Sequence, residues 1–190
     1  MAKVLGDTPE RTIRAMETKD SQLVQSWFDG DNDSITNSFN PDTAIGDGNA
    51  FTISAWVWIG NDGSMDGGFG AILNCYGADP RFYIYIQDTG NDPFVGLGNI
   101  FKVYTASPTV ANTTWTHLAL VFHGSIGDIY QNGIYISSET FGTSKNFPSS
   151  STSLGANGTV YNWGGGLDSI LIYNRAVTSN ECLTLSQEFD

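Results

Sequence analysis

Two groups of carboxylates in this chain invite chemistry, and they invite it differently. Asp29-Gly-Asp-Asn-Asp33 is an acidic run of the kind hard cations favour, because several carboxylate and carbonyl oxygens come close together. It is not an EF-hand loop. That motif would place Gly where Ser34 stands and Glu where Asn40 stands. Asp168 interrupts an otherwise apolar run, Gly-Leu-Asp-Ser-Ile-Leu-Ile. A carboxylate inside such a strand must face solvent, accept hydrogen bonds or hold a metal.

Aromatic residues supply a second candidate. In Arg81 to Gln87 the side chains alternate. Phe82, Ile84 and Ile86 share one face, predicted to be core, while Arg81, Tyr83, Tyr85 and Gln87 share the other. The second set predicts an exposed face bearing two tyrosines, a guanidinium and an amide, with Trp58 nearby. Such a surface stacks on sugar rings and hydrogen-bonds their hydroxyls, or else covers a sheet or meets a neighbouring subunit. Both readings stand at this point.

These groups must be positioned by strands. Aromatic residues make up 13% of the chain and glycine occurs 22 times, a balance that favours short strands and tight turns over helices. Phe51 to Ile59 and Trp115 to His123 also alternate with period two, and the latter puts His117 and His123 on one parity. Asn132-Gly133 between Ile129-Tyr130 and Ile134-Ile136 predicts a hairpin, because both turn positions want positive φ. Leu167 to Tyr173 makes a last apolar strand, preceded by Gly164-Gly165-Gly166, which permits a close backbone approach or a bulge. Thr178-Ser-Asn-Glu181 is a capping box opening a short terminal helix through Leu185. Residues 7–20 read as a short helix with Pro9 at its first position and a thin stripe of Ile13 and Met16. That stripe cannot hold a helix alone, so residues 1–22 are expected to form an arm that docks either on its own sandwich or on another subunit, with one domain over 23–190. Many short strands with alternation on both sides need two sheets, so an all-β antiparallel sandwich of jelly-roll type is predicted. Trp56 and Trp115 are large enough to bridge sheets ~10 Å apart.

Charge narrows the partners. The net charge is −12, and residues 1–22 balance four acids with four bases. The remaining chain therefore carries all of it, with Arg81, Lys102, Lys145 and Arg175 as its only bases. Nucleic acid and anionic membrane surfaces are disfavoured as charge-attracted partners, since phosphate recognition needs a basic patch. Solubility and cation binding both remain as uses of the negative charge. No stretch approaches the ~18 apolar residues of a membrane helix, and Met1 leads into a charged segment, not a signal peptide. The expectation is a protein that is cytoplasmic before assembly and reaches a virion surface or the exterior without a cleaved signal. Cys75 follows an apolar run and Cys182 falls in the predicted terminal helix. Two buried thiols are expected in place of a disulfide framework.

Several of these segments also occur in a familiar order. Phe28-Asp-Gly30 with Asp33, Phe51-Thr-Ile-Ser-Ala-Trp-Val-Trp-Ile59, Trp115-Thr-His-Leu-Ala-Leu-Val-Phe122 and Ile129-Tyr-Gln-Asn-Gly133 come first. Leu154-Gly-Ala156, Gly164 to Asp168 and Ile172-Tyr-Asn-Arg-Ala-Val177 follow. Together, over roughly residues 26–185, they resemble the laminin-G-like jelly-roll domains of the concanavalin-A-like lectin/glucanase superfamily. The resemblance implies a structural calcium near the early and the last strands, here Asp168 with Asp29 or Gly30. A plain hydrogen-bonded Asp168 is the competing reading.

Catalysis finds little material. Glycoside hydrolases related to that family need two carboxylates a few ångströms apart, yet the glutamates are Glu10, Glu17, Glu139, Glu181 and Glu188, and no Glu-x-Asp-x-x-Glu occurs. There is no nucleophile elbow and no metal-spaced His/Cys set. The sequence predicts a non-catalytic recognition or adhesion module with a glycan or polysaccharide as ligand. The alternative is a structural decoration or appendage subunit of a phage particle, whose residues 1–22 dock on other protein subunits.

Overall fold

The alternating segments become strands in a computed structural model of the chain. It describes residues 3–5, 12–15, 26–31, 33–36, 40–46, 50–60, 68–75, 81–87, 90–98, 100–104, 109–141, 147, 152–156 and 160–188. The early strands are β1 (Lys3–Leu5), β2 (Thr12–Ala15), β3 (Ser26–Asp29) and β4 (Ile35–Thr36). Then come β5 (Phe51–Ile59), β6 (Phe69–Cys75), β7 (Arg81–Gln87), β8 (Asp92–Gly98) and β9 (Ile100–Val103). The rest are β10 (Thr116–His123), β11 (Ile126–Gln131), β12 (Ile134–Thr140), β13 (Ser153–Leu154) and β14 (Gly164–Tyr173). Two short helices complete the set, α1 (Pro41–Ala44) and α2 (Ser179–Leu185).

The strands form two antiparallel sheets. One runs β1-β2-β14-β5-β10-β11-β12, with β3 also paired to β14, and the other runs β4-β13-β6-β7-β8-β9. The jelly-roll-type sandwich expected from alternation is therefore present. Its core interleaves side chains of one parity from each sheet. Phe51 stacks on Phe122 with centroids 4.3 Å apart and meets Phe82 and Phe147 edge-on at 5.9 and 5.3 Å. Tyr104 is fully buried there, and its hydroxyl donates to the Gly127 carbonyl at 2.8 Å. Burial pushes that phenol far above its usual range.

Local chemistry sets the ends of the elements. Asn132 and Gly133 take φ of 50° and 77°, the conformation a two-residue hairpin needs, and join β11 to β12. The Thr178 side chain accepts from the Glu181 N–H while the Glu181 carboxylate accepts from the Thr178 N–H, closing the capping box of α2. Arg175 binds the same carboxylate at 2.5 and 3.0 Å, tying the end of β14 to the helix. Asn40 caps α1 through Thr43 N–H with Pro41 in its first turn, a short element that alternation alone does not reveal.

The expected helix over residues 7–20 is not formed at its centre. Thr12–Ala15 is strand β2, which pairs with β1 on one side and with Ile170–Tyr173 of β14 on the other. Two apolar residues give a helix too little to bury, whereas the edge of β14 offers backbone partners to an extended segment. The dock for residues 12–15 is thus the chain's own sheet. The rest of 7–20 lies outside the described residues. Trp56 and Trp115 do not bridge the sheets. Trp56 has the parity of Thr52 and Ser54, opposite to Phe51, Ile53, Ala55 and Val57 in the core, and so lies on the outer face. Cys75 and Cys182 are buried in separate clusters, and burial raises the Cys182 thiol to about 11.

Candidate functional site

The tyrosine face is covered. Tyr83 and Tyr85 are only 4% and 3% exposed. Their rings stack at 4.4 Å, and Tyr85 donates to Asn74 Oδ1 at 2.7 Å. Tyr83 lies across Gly96 of β8, where an added Cβ would fall 2.3 Å from its ring. Phe69 and Tyr161 pack over the pair, and Tyr161 is anchored because its carbonyl accepts from Ala71 N–H. Both faces of β7 are therefore filled, which alternation cannot distinguish from one filled face and one open face. Gln87 is half-buried at the strand end, and the Arg81 side chain is outside the described residues. Trp58 belongs to the other sheet and stands on the opposite side of the sandwich from these tyrosines.

The acidic candidates separate as well. Asp29 pairs with Gly164, whereas Asp168 pairs with Trp56 four residues along β14, a rise of about 13 Å. Asp168 sits at a register shift in β14, and its Oδ1 accepts from the N–H and hydroxyl of Ser169, which has φ of 45°. Asp29 Oδ1 accepts from Asp31 N–H at 2.9 Å, and Asp33 Oδ2 accepts from Asp29 N–H at 3.1 Å, around a turn with Gly30 at φ 84°. Asp168 and Asp29 thus stand four positions apart along β14, with Gly30 in the turn that follows Asp29. Among the described residues no three His, Cys, Asp or Glu side chains converge as a metal site.

The outer face of the first sheet carries what the sequence reading missed. Gly166 of β14 is in register with Trp27 of β3 on one side and Trp58 of β5 on the other. With no side chain at 166, the Trp115 indole lies over the glycine between them. Trp27 meets Trp58 edge-on at 5.0 Å and Trp115 at 5.9 Å, with interplanar angles of 70° and 69°. Trp27 is 54% exposed, while Trp58 and Trp115 are half-buried. The result is an indole corner, one ring standing nearly perpendicular to two others. Two residues further along β3, on the same face as Trp27, exposed Asp29 begins the acidic turn. Behind that turn Asn162 donates its Nδ2 to the Asp31 carbonyl.

Two other places compete with this corner. Ser54 Oγ lies 2.7 Å from His117 Nε2, the spacing of an activated hydroxyl, but both residues are at most 1% exposed. Burial also lowers His117 to about 4, so the pair is a core contact that a substrate cannot reach. A cleft of about 230 Å³ between the end of β14 and α2 is smaller than ordinary ligand pockets. Its Arg175 is already held by Glu181. His123, of the same parity as His117, is exposed and pairs with Asp128 at 2.8 Å.

Residues 29–182 match the family described as the Concanavalin A-like lectin/glucanases superfamily, in its laminin-G branch. The chain belongs to that superfamily. This lectin-like fold is shared with domain 4 of an extracellular arabinanase from Geobacillus stearothermophilus, solved with arabinotriose. The two are 18% identical, with a TM-score of 0.63 over 98% of this chain and 82% of that one. It is shared too with the CBM40 domain of a Ruminococcus gnavus IT-sialidase bound to α2,3-sialyllactose, at 14% identity and TM-score 0.65 over 86% and 98% of the two chains. A heptameric pentraxin from Limulus polyphemus gives a TM-score of 0.67 at 12% identity, over 89% and 84%. No curated protein sequence matches. At these identities the solved relatives establish the sandwich of this concanavalin-A-like domain, and its own residues must argue the ligand. No helix among its described residues is long and apolar enough to cross a membrane.

Proposed function

We propose that this domain is a non-catalytic glycan-recognition module that grips sugar rings at the corner formed by Trp27, Trp58 and Trp115. The observation that carries the reading is the exposed Trp27 indole, which stands beside Gly166 and edge-on to two further tryptophans. An indole face matches the C–H face of a pyranose, and a pre-ordered ring loses little entropy on stacking. Asp29, exposed beside it, supplies acceptors for sugar hydroxyls. Two solved relatives of the same fold hold arabinotriose and sialyllactose, which agrees with a sugar as ligand. The absence of a Glu-x-Asp-x-x-Glu motif and the burial of the Ser54–His117 contact support the lack of catalysis.

A glycan array followed by titration calorimetry tests this, using the intact chain and Trp27→Ala. Losing one stack from an exposed site corresponds to about a tenfold drop in affinity. A Trp27→Ala protein that keeps its full affinity would move the ligand away from this corner.

A further inference from the structure

We infer that Asn162 and Trp163 are the positioning residues of the indole corner, a role whose use in binding rests on the glycan reading above. Strand β3 has four residues and pairs with the start of β14, from Gly164 to Leu167. Its place on that edge decides whether Trp27 stands beside Gly166 and meets Trp58 and Trp115. So short a ladder specifies its register weakly. A slip of one residue would exchange the faces of Trp27 and Phe28 and dismantle the corner. A slip of two would keep the faces but carry Trp27 about 6.6 Å away from Gly166.

Two adjacent residues outside the ladder oppose both slips. The Trp163 N–H donates to the Gly155 carbonyl at 2.6 Å. Gly155 is the seat of Phe28, so close that an added Cβ would fall 2.1 Å from the Phe28 ring. Asn162 Nδ2 donates to the Asp31 carbonyl, two residues beyond the end of β3. The Trp163 Nε1–H donates to the Gly166 carbonyl at 3.2 Å. One short stretch of backbone thus holds β3 through Phe28 and Asp31, and β14 through Gly166. Gly166 lies between two indoles, Trp115 over it on the outer face and the core residue Trp163 at its carbonyl. Asn162 and Trp163 are at most 1% exposed, so water competes little for these hydrogen bonds, and both act on a ligand only through the corner. The stretch is fastened in turn to the second sheet. The Tyr161 carbonyl accepts from the Ala71 N–H of β6 at 2.9 Å, and its ring packs on Phe69 and Tyr85.

Near-UV circular dichroism of the full-length chain tests this, because indoles in edge-on contact couple their transitions. The difference between the intact chain and Trp27→Phe isolates the band that Trp27 contributes. Introducing Trp27→Phe into an Asn162→Ala or a Trp163→Phe background should yield little of that difference, since Trp27 has already left its place. The subtraction also cancels the signal of the indole removed at position 163. Tyr104→Phe is the control for a merely structural role. It strips an equally buried donor from the Gly127 carbonyl and should keep the band in full. A band of full size in folded Asn162→Ala protein overturns the inference. So does a band lost equally in Tyr104→Phe, which would mark general loosening. Asn162→Ala spares the aromatic core and carries the test alone if Trp163→Phe does not fold. Failure of the glycan reading shows separately, as unchanged affinity in Trp27→Ala, and leaves the spectroscopic result standing.

Discussion

Trp115 lies directly over Gly166, so closely that a Cβ built on that glycine would fall 2.6 Å from Trp115 Cη2 and 2.9 Å from Cζ2. The indole corner therefore exists only because position 166 has no side chain. Gly166→Ala should displace Trp115, cost about 1–3 kcal/mol and alter the environment of all three indoles. Chemical denaturation and intrinsic tryptophan fluorescence read both effects. An unchanged emission spectrum in a folded Gly166→Ala protein would contradict the close approach.

Trp27 makes the opposite prediction. More than half of it is exposed, so Trp27→Ala should shift stability by no more than about 1 kcal/mol while weakening the ligand. Trp56, 8% exposed and packed edge-on against His117 at 5.4 Å, should cost about 3–5 kcal/mol on truncation and leave ligand affinity intact. Paired melting and binding curves for the two variants separate a ligand contact from a packing contact.

Acid should loosen the first sheet through His117. Burial lowers this imidazole from 6.5 to about 4. The unfolded chain takes up its proton as pH falls through 6.5, and the folded chain resists until about 4. Stability is thus unaffected above 6.5 and falls progressively between those values, by about 3 kcal/mol in all. Urea midpoints recorded across this range should show the slope, and His117→Gln should flatten it.

The α2 cap is a smaller lever. Thr178→Ala removes the hydroxyl that accepts from Glu181 N–H and should cost about 1 kcal/mol. Hydrogen bonds from Arg175 and Thr178 hold the Glu181 carboxyl at about 2, so its contribution persists at neutral pH and fades as pH falls from the ordinary carboxylate range toward that value. Circular dichroism melts near neutral pH and near pH 2 should therefore differ less in Glu181→Gln than in the parent.

Neither thiol should matter to solvent chemistry. Cys75 and Cys182 are 1% and 0% exposed, so alkylation of the native protein at pH 8 should be negligible and reducing agent should leave the melting point unmoved. Rapid native labelling of either would contradict their burial.

Strands β5, β7 and β10, the Asn132-Gly133 turn and the α2 capping box are legible in the sequence because each is written in adjacent residues. The indole corner is not. Its members come from positions 27, 58, 115 and 166 and meet only through the register of β3 and β5 on β14. Ser26–Asp29 has too few residues for alternation to declare itself, so Trp27 carries no period to read. Tyr83 and Tyr85 misled for a related reason. Alternation divides a strand into two faces, and whether the second face is covered depends on elements such as the segment holding Tyr161, distant in sequence. Helical spacing over residues 7–20 failed because a free strand edge at β14 outcompeted a thin apolar stripe. The triple glycine was the one linear hint that side chains crowd the start of β14.

Strand β14 has consequences for how the molecule is made. It is the last of the described strands, yet β2 and β3 take one of its edges and β5 takes the other, with Tyr173 opposite Thr12. During synthesis the N-terminal strands leave the ribosome long before their partner does, and they wait with open edges. Closure of the first sheet consequently waits for β14 to emerge, and the high contact order places folding in the slow, millisecond-to-second class of β-proteins. A chain stopped before residue 164 would hold β2 and β3 without the strand that pairs them to β5. Nascent or truncated forms are therefore the species a chaperone must shield from edge-to-edge aggregation.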